Sequence, residues 1–162
     1  MATKEDFPGW GDMLKHGNGT FFEDWQCRGS GLHSSYLYIG SWFIEALGGI
    51  RRPEAGYKEF TIEPWIAKGG PKQVRSHYNS LCGKIVSDWT VESGVLTMEI
   101  TIPANTTAVL KLSGIHPDTL KEGETAWKEA EGVSLYSQKR NALSLALQSG
   151  TYRFSVVMDE GR

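Results

Sequence analysis

The chain has 162 residues, 40% of them hydrophobic and 22% charged, with a formal net charge of −2. That length suits one ordinary core, or one domain plus part of another. The nearly neutral balance gives no electrostatic reason for a nucleic-acid or membrane partner, and neither is expected.

In chain order, residues 9–15 can form a short helical turn, which His16-Gly17-Asn18-Gly19 stops with strong breaker chemistry. Residues 21–27 show no clean periodicity. Ser34 or Ser35 can cap a helix that runs to Leu47, where Gly48-Gly49 supplies a C-terminal stop. This helix is apolar nearly all round (Tyr36, Leu37, Ile39, Trp42, Phe43, Ile44, Leu47), so it belongs inside a helical assembly. Nothing nearby in the chain can surround it. Residues 51–56 read as a linker or turn.

Beyond the linker the pattern becomes β. Strands are expected at residues 57–63, 73–79, 84–91, 95–102, 107–112, 119–122, 133–138, 142–147 and 151–158. Ser93-Gly94, Glu122-Gly123, Glu131-Gly132 and Ser149-Gly150 supply turns between them. Short strands at this spacing predict an antiparallel β-sandwich. Residues 142–147 conflict locally: Leu143, Leu145 and Leu147 alternate as in a strand, yet leucine and alanine favour helix.

Cys27 and Cys82 have no metal-ligand spacing. Two reduced thiols are expected, with a disulfide as the alternative. No cationic segment followed by an apolar one opens the chain, and residues 36–47 are too short to span a bilayer. A cytoplasmic location follows, unless residues that precede Met1 in a longer protein carry a targeting signal.

The motif with most chemistry is Phe22-Glu23-Asp24-Trp25, followed by His33. Adjacent acids between aromatic walls suit a sugar pocket, because flat faces stack on pyranose rings while carboxylates bind hydroxyls or activate water. The same acids also suit a helix N-terminus. Being neighbours, Glu23 and Asp24 cannot easily serve as each other's acid/base partner. Trp25 and Tyr36 can line a sugar subsite or pack internally, and mid-helix Trp42 is expected in a core. Trp65 and Trp127, near predicted loops, can face a glycan but are better read as packing between domains, and Tyr136 is a further aromatic of the β region able to face a glycan. Asn105-Thr106-Thr107 reads as turn chemistry, and His77 and His116 lack partners at metal-ligand spacing. No metal or cofactor is expected.

Taken in series, these motifs resemble one family. Phe7-Pro8-Gly9-Trp10-Gly11-Asp12, then Gly19-Thr20-Phe21-Phe22-Glu23-Asp24-Trp25, is similar to the late catalytic segment of bacterial α-L-rhamnosidases, glycoside hydrolase family 78. Leu32-His33-Ser34-Ser35-Tyr36 with Trp42-Phe43 resembles the next motif, although Leu32 and Leu37 depart from the Asn and Gly of many members. Gly48-Gly49-Ile50-Arg51 and Ile62-Glu63-Pro64 resemble the start of the family's C-terminal β domain. Ser80-Leu81-Cys82-Gly83-Lys84 and Ile102-Pro103-Ala104-Asn105 match motifs inside it.

The resemblance implies that residues 1–50 are the last helical segment of an incomplete (α/α)6 catalytic barrel and residues 51–162 a C-terminal β-sandwich. It further implies Glu23 as candidate general base and His33 as a sugar contact; Trp25, Tyr36 and Asp24 remain further substrate-binding candidates from the residues themselves. The general acid would lie upstream, so the chain alone is expected to be inactive. Expected partners are rhamnose-containing glycosides in the intact enzyme, the missing barrel helices, and a second copy of the chain paired through residues 21–50. A carbohydrate-binding or structural accessory module is the competing reading.

Overall fold

The computed structural model describes residues 4–16, 20–31, 38–51 and 56–159. The chain divides into two compact units, Met1–Ser41 and Trp42–Arg162.

In the first unit, α1 (Trp10–His16) takes the place of the expected helical turn. Its Met13 is fully buried and anchors the loop beyond the helix. The Phe22 amide donates to Met13 Sδ at 3.2 Å, and Cys27 Sγ reaches the Met13 carbonyl at 3.9 Å. Trp10 and Phe21 pack with ring centroids 5.3 Å apart. The predicted cap at Ser34 or Ser35 lies outside the described residues. Of that helix, α2 (Ile39–Trp42) is described, and a π-helical turn, Phe43–Leu47, ends it.

The second unit is mainly β. Its strands are β1 (Ile50–Arg51), β2 (Glu59–Ile62), β3 (Gln73–Val74), β4 (His77–Ser80), β5 (Gly83–Glu92) and β6 (Val95–Ile102). Then come β7 (Thr107–Ser113), β8 (Lys121–Glu122), β9 (Thr125–Ala126), β10 (Val133–Lys139), β11 (Ala142–Leu147) and β12 (Gly150–Val157). One sheet has the order β1-β2-β7-β11-β10; the other runs β3-β5-β6-β12-β8-β9, with β4 also paired to β5. Every pairing of these strands is antiparallel except β2 with β7.

Alternation builds the interlayer. Leu143, Leu145 and Leu147 of β11 and Leu110 and Leu112 of β7 turn inward to meet Leu96, Met98 and Ile100 of β6 and Phe154 and Val156 of β12 in one buried cluster. The conflict at residues 142–147 therefore resolves toward strand. Pairing on both sides and an inward row of leucines outweigh a helix preference of a few tenths of a kcal/mol per residue. Ser93 and Gly94, both at positive φ (49° and 77°), make the two-residue β5–β6 hairpin turn. Asn105 is also left-handed, and Thr106 Oγ1 donates to the Pro103 carbonyl at 2.7 Å, which bears out the turn reading.

The π turn is fastened to the sandwich. Trp89 Nε1, buried on β5, donates to the Leu47 carbonyl at 2.7 Å. The Trp65 amide donates to the Ala46 carbonyl at 2.8 Å, and the Glu63 amide to the Gly49 carbonyl at 2.9 Å. Arg51 Nε donates to the Glu45 carbonyl at 2.9 Å. Leu47 is buried and Ile44 packs against the core, leaving Trp42 and Phe43 on the open side of the turn, 41% and 42% exposed. Trp42 is thus not the core residue that its mid-helix position suggested. Its ring instead meets Phe43 and Trp65, at centroid distances of 5.6 and 6.2 Å.

No helix among the described residues is long and apolar enough to cross a membrane. Cys27 and Cys82 are both free thiols.

Candidate functional site

The acidic motif sits in a closed loop. Thr20 Oγ1 donates to the Gly31 carbonyl at 2.7 Å, and the Glu23 amide donates to the Ser30 carbonyl at 3.1 Å. Within these two rungs the chain reverses at Asp24, where the Cys27 amide donates to the Asp24 carbonyl at 3.1 Å and Cys27 itself takes φ 56°. Residue 27 thus bends the loop as well as touching Met13.

The two acids are held differently. Both Asp24 carboxylate oxygens are engaged by Arg28: its amide donates to Oδ1 at 3.0 Å and its Nε to Oδ2 at 3.1 Å. That backbone N–H, more than any other group, holds the Asp24 carboxyl below the ordinary carboxylate range. Burial opposes the shift, and the Arg28 guanidinium reinforces it. Glu23 is exposed, and its Oε2 accepts the Ser30 amide at 3.3 Å. Gly29 is the residue that lets this carboxylate lie against the loop, because a Cβ there would come within 2.6 Å of Glu23 Oε2. Trp25 is half-buried in the same loop. His33 and Tyr36 lie outside the described residues.

The Asp24 arrangement has a pH signature. Because its folded pKa is lowered, the Asp24–Arg28 contribution is complete above the unfolded value of about 3.9 and is lost as pH falls through the lower folded value. The Arg28 backbone amide resonance is therefore expected to hold steady from neutral pH to about 4 and to move only below it. In Asp24→Asn that movement should vanish. A titration of the Arg28 amide centred well above 4 would contradict the assignment.

Sequence reading alone missed Arg28, Ser30 and Gly29 as supports of the acids. The Asp24–Arg28 spacing of four was a visible signal, but it normally marks a helix face, and here it closes a turn. Among the β-region aromatics, Trp65 is 53% and Tyr136 65% exposed, whereas Trp127 is only 5% exposed. Trp127 is therefore core and unavailable to a glycan. It sits in a 3-10 turn, Trp127–Glu129, with its amide bonded to the Leu120 carbonyl at 3.3 Å. Among the described residues no three His, Cys, Asp or Glu side chains converge as metal ligands.

The family model of the bacterial alpha-L-rhamnosidase C-terminal domain matches residues 49–127. Over that span the chain is similar to this domain. Likeness to the rhamnosidases extends over the rest of the chain. An alpha-L-rhamnosidase of Formosa agariphila is 27% identical over 95% of this chain and 18% of its own length. The crystal structure of the Streptomyces avermitilis alpha-L-rhamnosidase complexed with L-rhamnose superposes with a TM-score of 0.75 at 25% identity, covering 95% of this chain and 15% of that one. The alpha-L-rhamnosidase from Dictyoglumus thermophilum shares the fold at a TM-score of 0.75 and 21% identity, over 97% of this chain and 18% of that one. The chain thus spans less than a fifth of the length of these rhamnosidases.

Proposed function

We propose that the chain is the C-terminal portion of an α-L-rhamnosidase-like inverting glycoside hydrolase. Residues 1–50 would complete a helical catalytic barrel, and residues 51–162 would brace it. The observation that carries the proposal is the likeness to alpha-L-rhamnosidases across 95% of the chain, on both sides of the Glu23 loop as well as through the β domain.

In an inverting reaction a base activates water on one face of the sugar while an acid protonates the leaving oxygen on the other, the two carboxyls lying roughly 6.5–9.5 Å apart. Glu23 is the carboxylate suited to the base. It is exposed, and the Ser30 amide steadies one of its oxygens at 3.3 Å. Asp24 has both oxygens committed to Arg28 and suits a supporting role at the edge of the sugar. His33, Trp25 and Tyr36 would contact the rhamnosyl ring, and a carboxyl elsewhere in the longer enzyme would act as acid. A carbohydrate-binding or structural accessory module is the second reading, favoured by the exposed ring of Trp65.

Lacking half of the acid/base pair, the 162-residue chain should show no useful hydrolysis of an aryl α-L-rhamnoside. Robust turnover by the purified chain would overturn this division of labour. The same preparation is expected to sediment as a dimer through residues 21–50, since exposed Trp42 and Phe43 leave apolar surface to cover. A strictly monomeric chain at high micromolar concentration would remove the second copy from the proposal.

A further inference from the structure

The outer face of the β1-β2-β7-β11-β10 sheet carries a groove of about 340 Å³ that shares no residue with the Glu23 loop. Register explains its shape. Ser137 of β10 pairs with Ser144 of β11, which pairs with Lys111 of β7; beside this row, Lys139 pairs with Ala142, which pairs with Ser113. Side chains paired across strands share one face about 5 Å apart. Four small residues therefore floor a trough, with Lys111 closing one row and Lys139 the other.

The wall is Tyr136. The β10–β11 register shifts between Leu135 and Ser137, so Tyr136 is the extra residue of a bulge on an edge strand. Bulges re-aim side chains, and this one leaves Tyr136 65% exposed while lining the groove. An aromatic held in water beside hydroxyls matches the mixed demand of a sugar ring, one face apolar and its rim hydrogen-bonding.

Charge narrows the ligand. Neither Lys111 nor Lys139 has an ion-pair partner among the described residues. The groove's acid, Glu63, is already offset by Arg51 at 3.5 Å. Two uncompensated ammonium groups on a floor of serines and alanine call for an anionic partner. We infer that this groove binds an acidic saccharide, with Tyr136 stacking on a ring and Lys111 and Lys139 meeting uronate carboxylates. The groove is independent of Glu23, and its ligand would bind whether or not the chain contributes to rhamnoside hydrolysis.

The full 162-residue chain can be titrated by calorimetry with a galacturonan hexamer, a neutral mannan hexamer and a linear polyphosphate. The galacturonan is expected to bind at least about tenfold tighter than the mannan, as a charged hydrogen bond is worth roughly a factor of ten. Tyr136→Ala should weaken galacturonan binding about tenfold, and Lys111→Gln with Lys139→Gln should bring it to the mannan level. All three side chains are at least partly exposed, so unfolding midpoints should stay within the range of ordinary surface substitutions and separate lost binding from lost folding. No galacturonan binding, equal binding of mannan, or indifference to Tyr136→Ala would each overturn the inference. Polyphosphate bound as tightly as galacturonan would do the same, by reducing the site to charge attraction.

Discussion

In the proposed full-length enzyme, with Glu23 as its base, Glu23→Gln is expected to lower kcat by about 10²–10⁴-fold, the usual contribution of a general base, with KM changed little. The substitution preserves shape and the acceptor oxygen that meets the Ser30 amide, and removes only the capacity to take a proton. An interaction made only in the transition state should depress kcat and kcat/KM together. Asp24→Asn is the contrasting case. It weakens the charge-assisted pairing with Arg28 in the turn, and its effect should reach the reaction through misplacement of Glu23. Azide offered as an external nucleophile provides a further readout: it should partly restore turnover to Glu23→Gln by substituting for activated water, and leave Asp24→Asn unaided. Near-normal kcat in Glu23→Gln, with a collapse in Asp24→Asn, would transfer the base role to Asp24.

The largest stability effect is expected at Gly49→Ala. Gly49 has φ 73°, and a Cβ there would lie within 2.7 Å of Pro64 Cα while also overlapping the Pro64 nitrogen and the Glu63 carbonyl carbon. Left-handed strain alone costs about 1–2 kcal/mol, and overlap with backbone on the adjacent segment cannot be relieved by a rotamer change. The sum is about 3–5 kcal/mol, in the range reserved for severe core lesions. For a chain of this size, at about 2–4 °C per kcal/mol, that is a fall in Tm of roughly 6–20 °C. Gly94→Ala makes the internal control: φ is 77°, but nothing lies within 4 Å of the added carbon, so about 1–2 kcal/mol of strain should be the whole effect. Trp89→Phe should fall between them, since it keeps most of the buried ring and loses the 2.7 Å bond to the Leu47 carbonyl, a penalty of about 1–3 kcal/mol. Equal midpoints for Gly49→Ala and Gly94→Ala would mean that the contact at Pro64 is not a fixed constraint.

The junction between helix and sandwich lies at Leu47-Gly48-Gly49, where the helical turn ends and β1 begins. Gly48 also approaches Ser76, whose buried hydroxyl has no hydrogen-bond partner among the described residues. Such a seam fixes where the last helical turn leaves the sandwich, and in the proposed enzyme it would transmit that position to the barrel.

Much of the β unit was legible in the sequence because period-two alternation over six or more residues has few competing explanations. β6 and β11 begin and end at the residues that the alternation marked, 95–102 and 142–147. The Gly48-Gly49 stop was legible too, since a residue at positive φ after an apolar run has few other uses. Ile50–Arg51 and Thr125–Ala126 were not, because two residues carry no period. The parallel pairing of β2 with β7 was equally hidden: it joins segments more than forty residues apart, and nothing local records which neighbour a strand will choose.

For the candidate site, sequence by itself determined which side chains are proposed to carry the chemistry: two acids between aromatics, in a family-like order. Tertiary structure decided how the acids differ. Arg28 takes both oxygens of Asp24 while Glu23 keeps an exposed carboxylate on the Ser30 amide. It likewise decided that Trp127 is buried and Tyr136 exposed, though both are aromatics near turns. The physical reason is the same in each case. Residue type and spacing fix what a side chain is able to do, whereas its solvation and hydrogen-bond partners come from segments that only folding brings beside it.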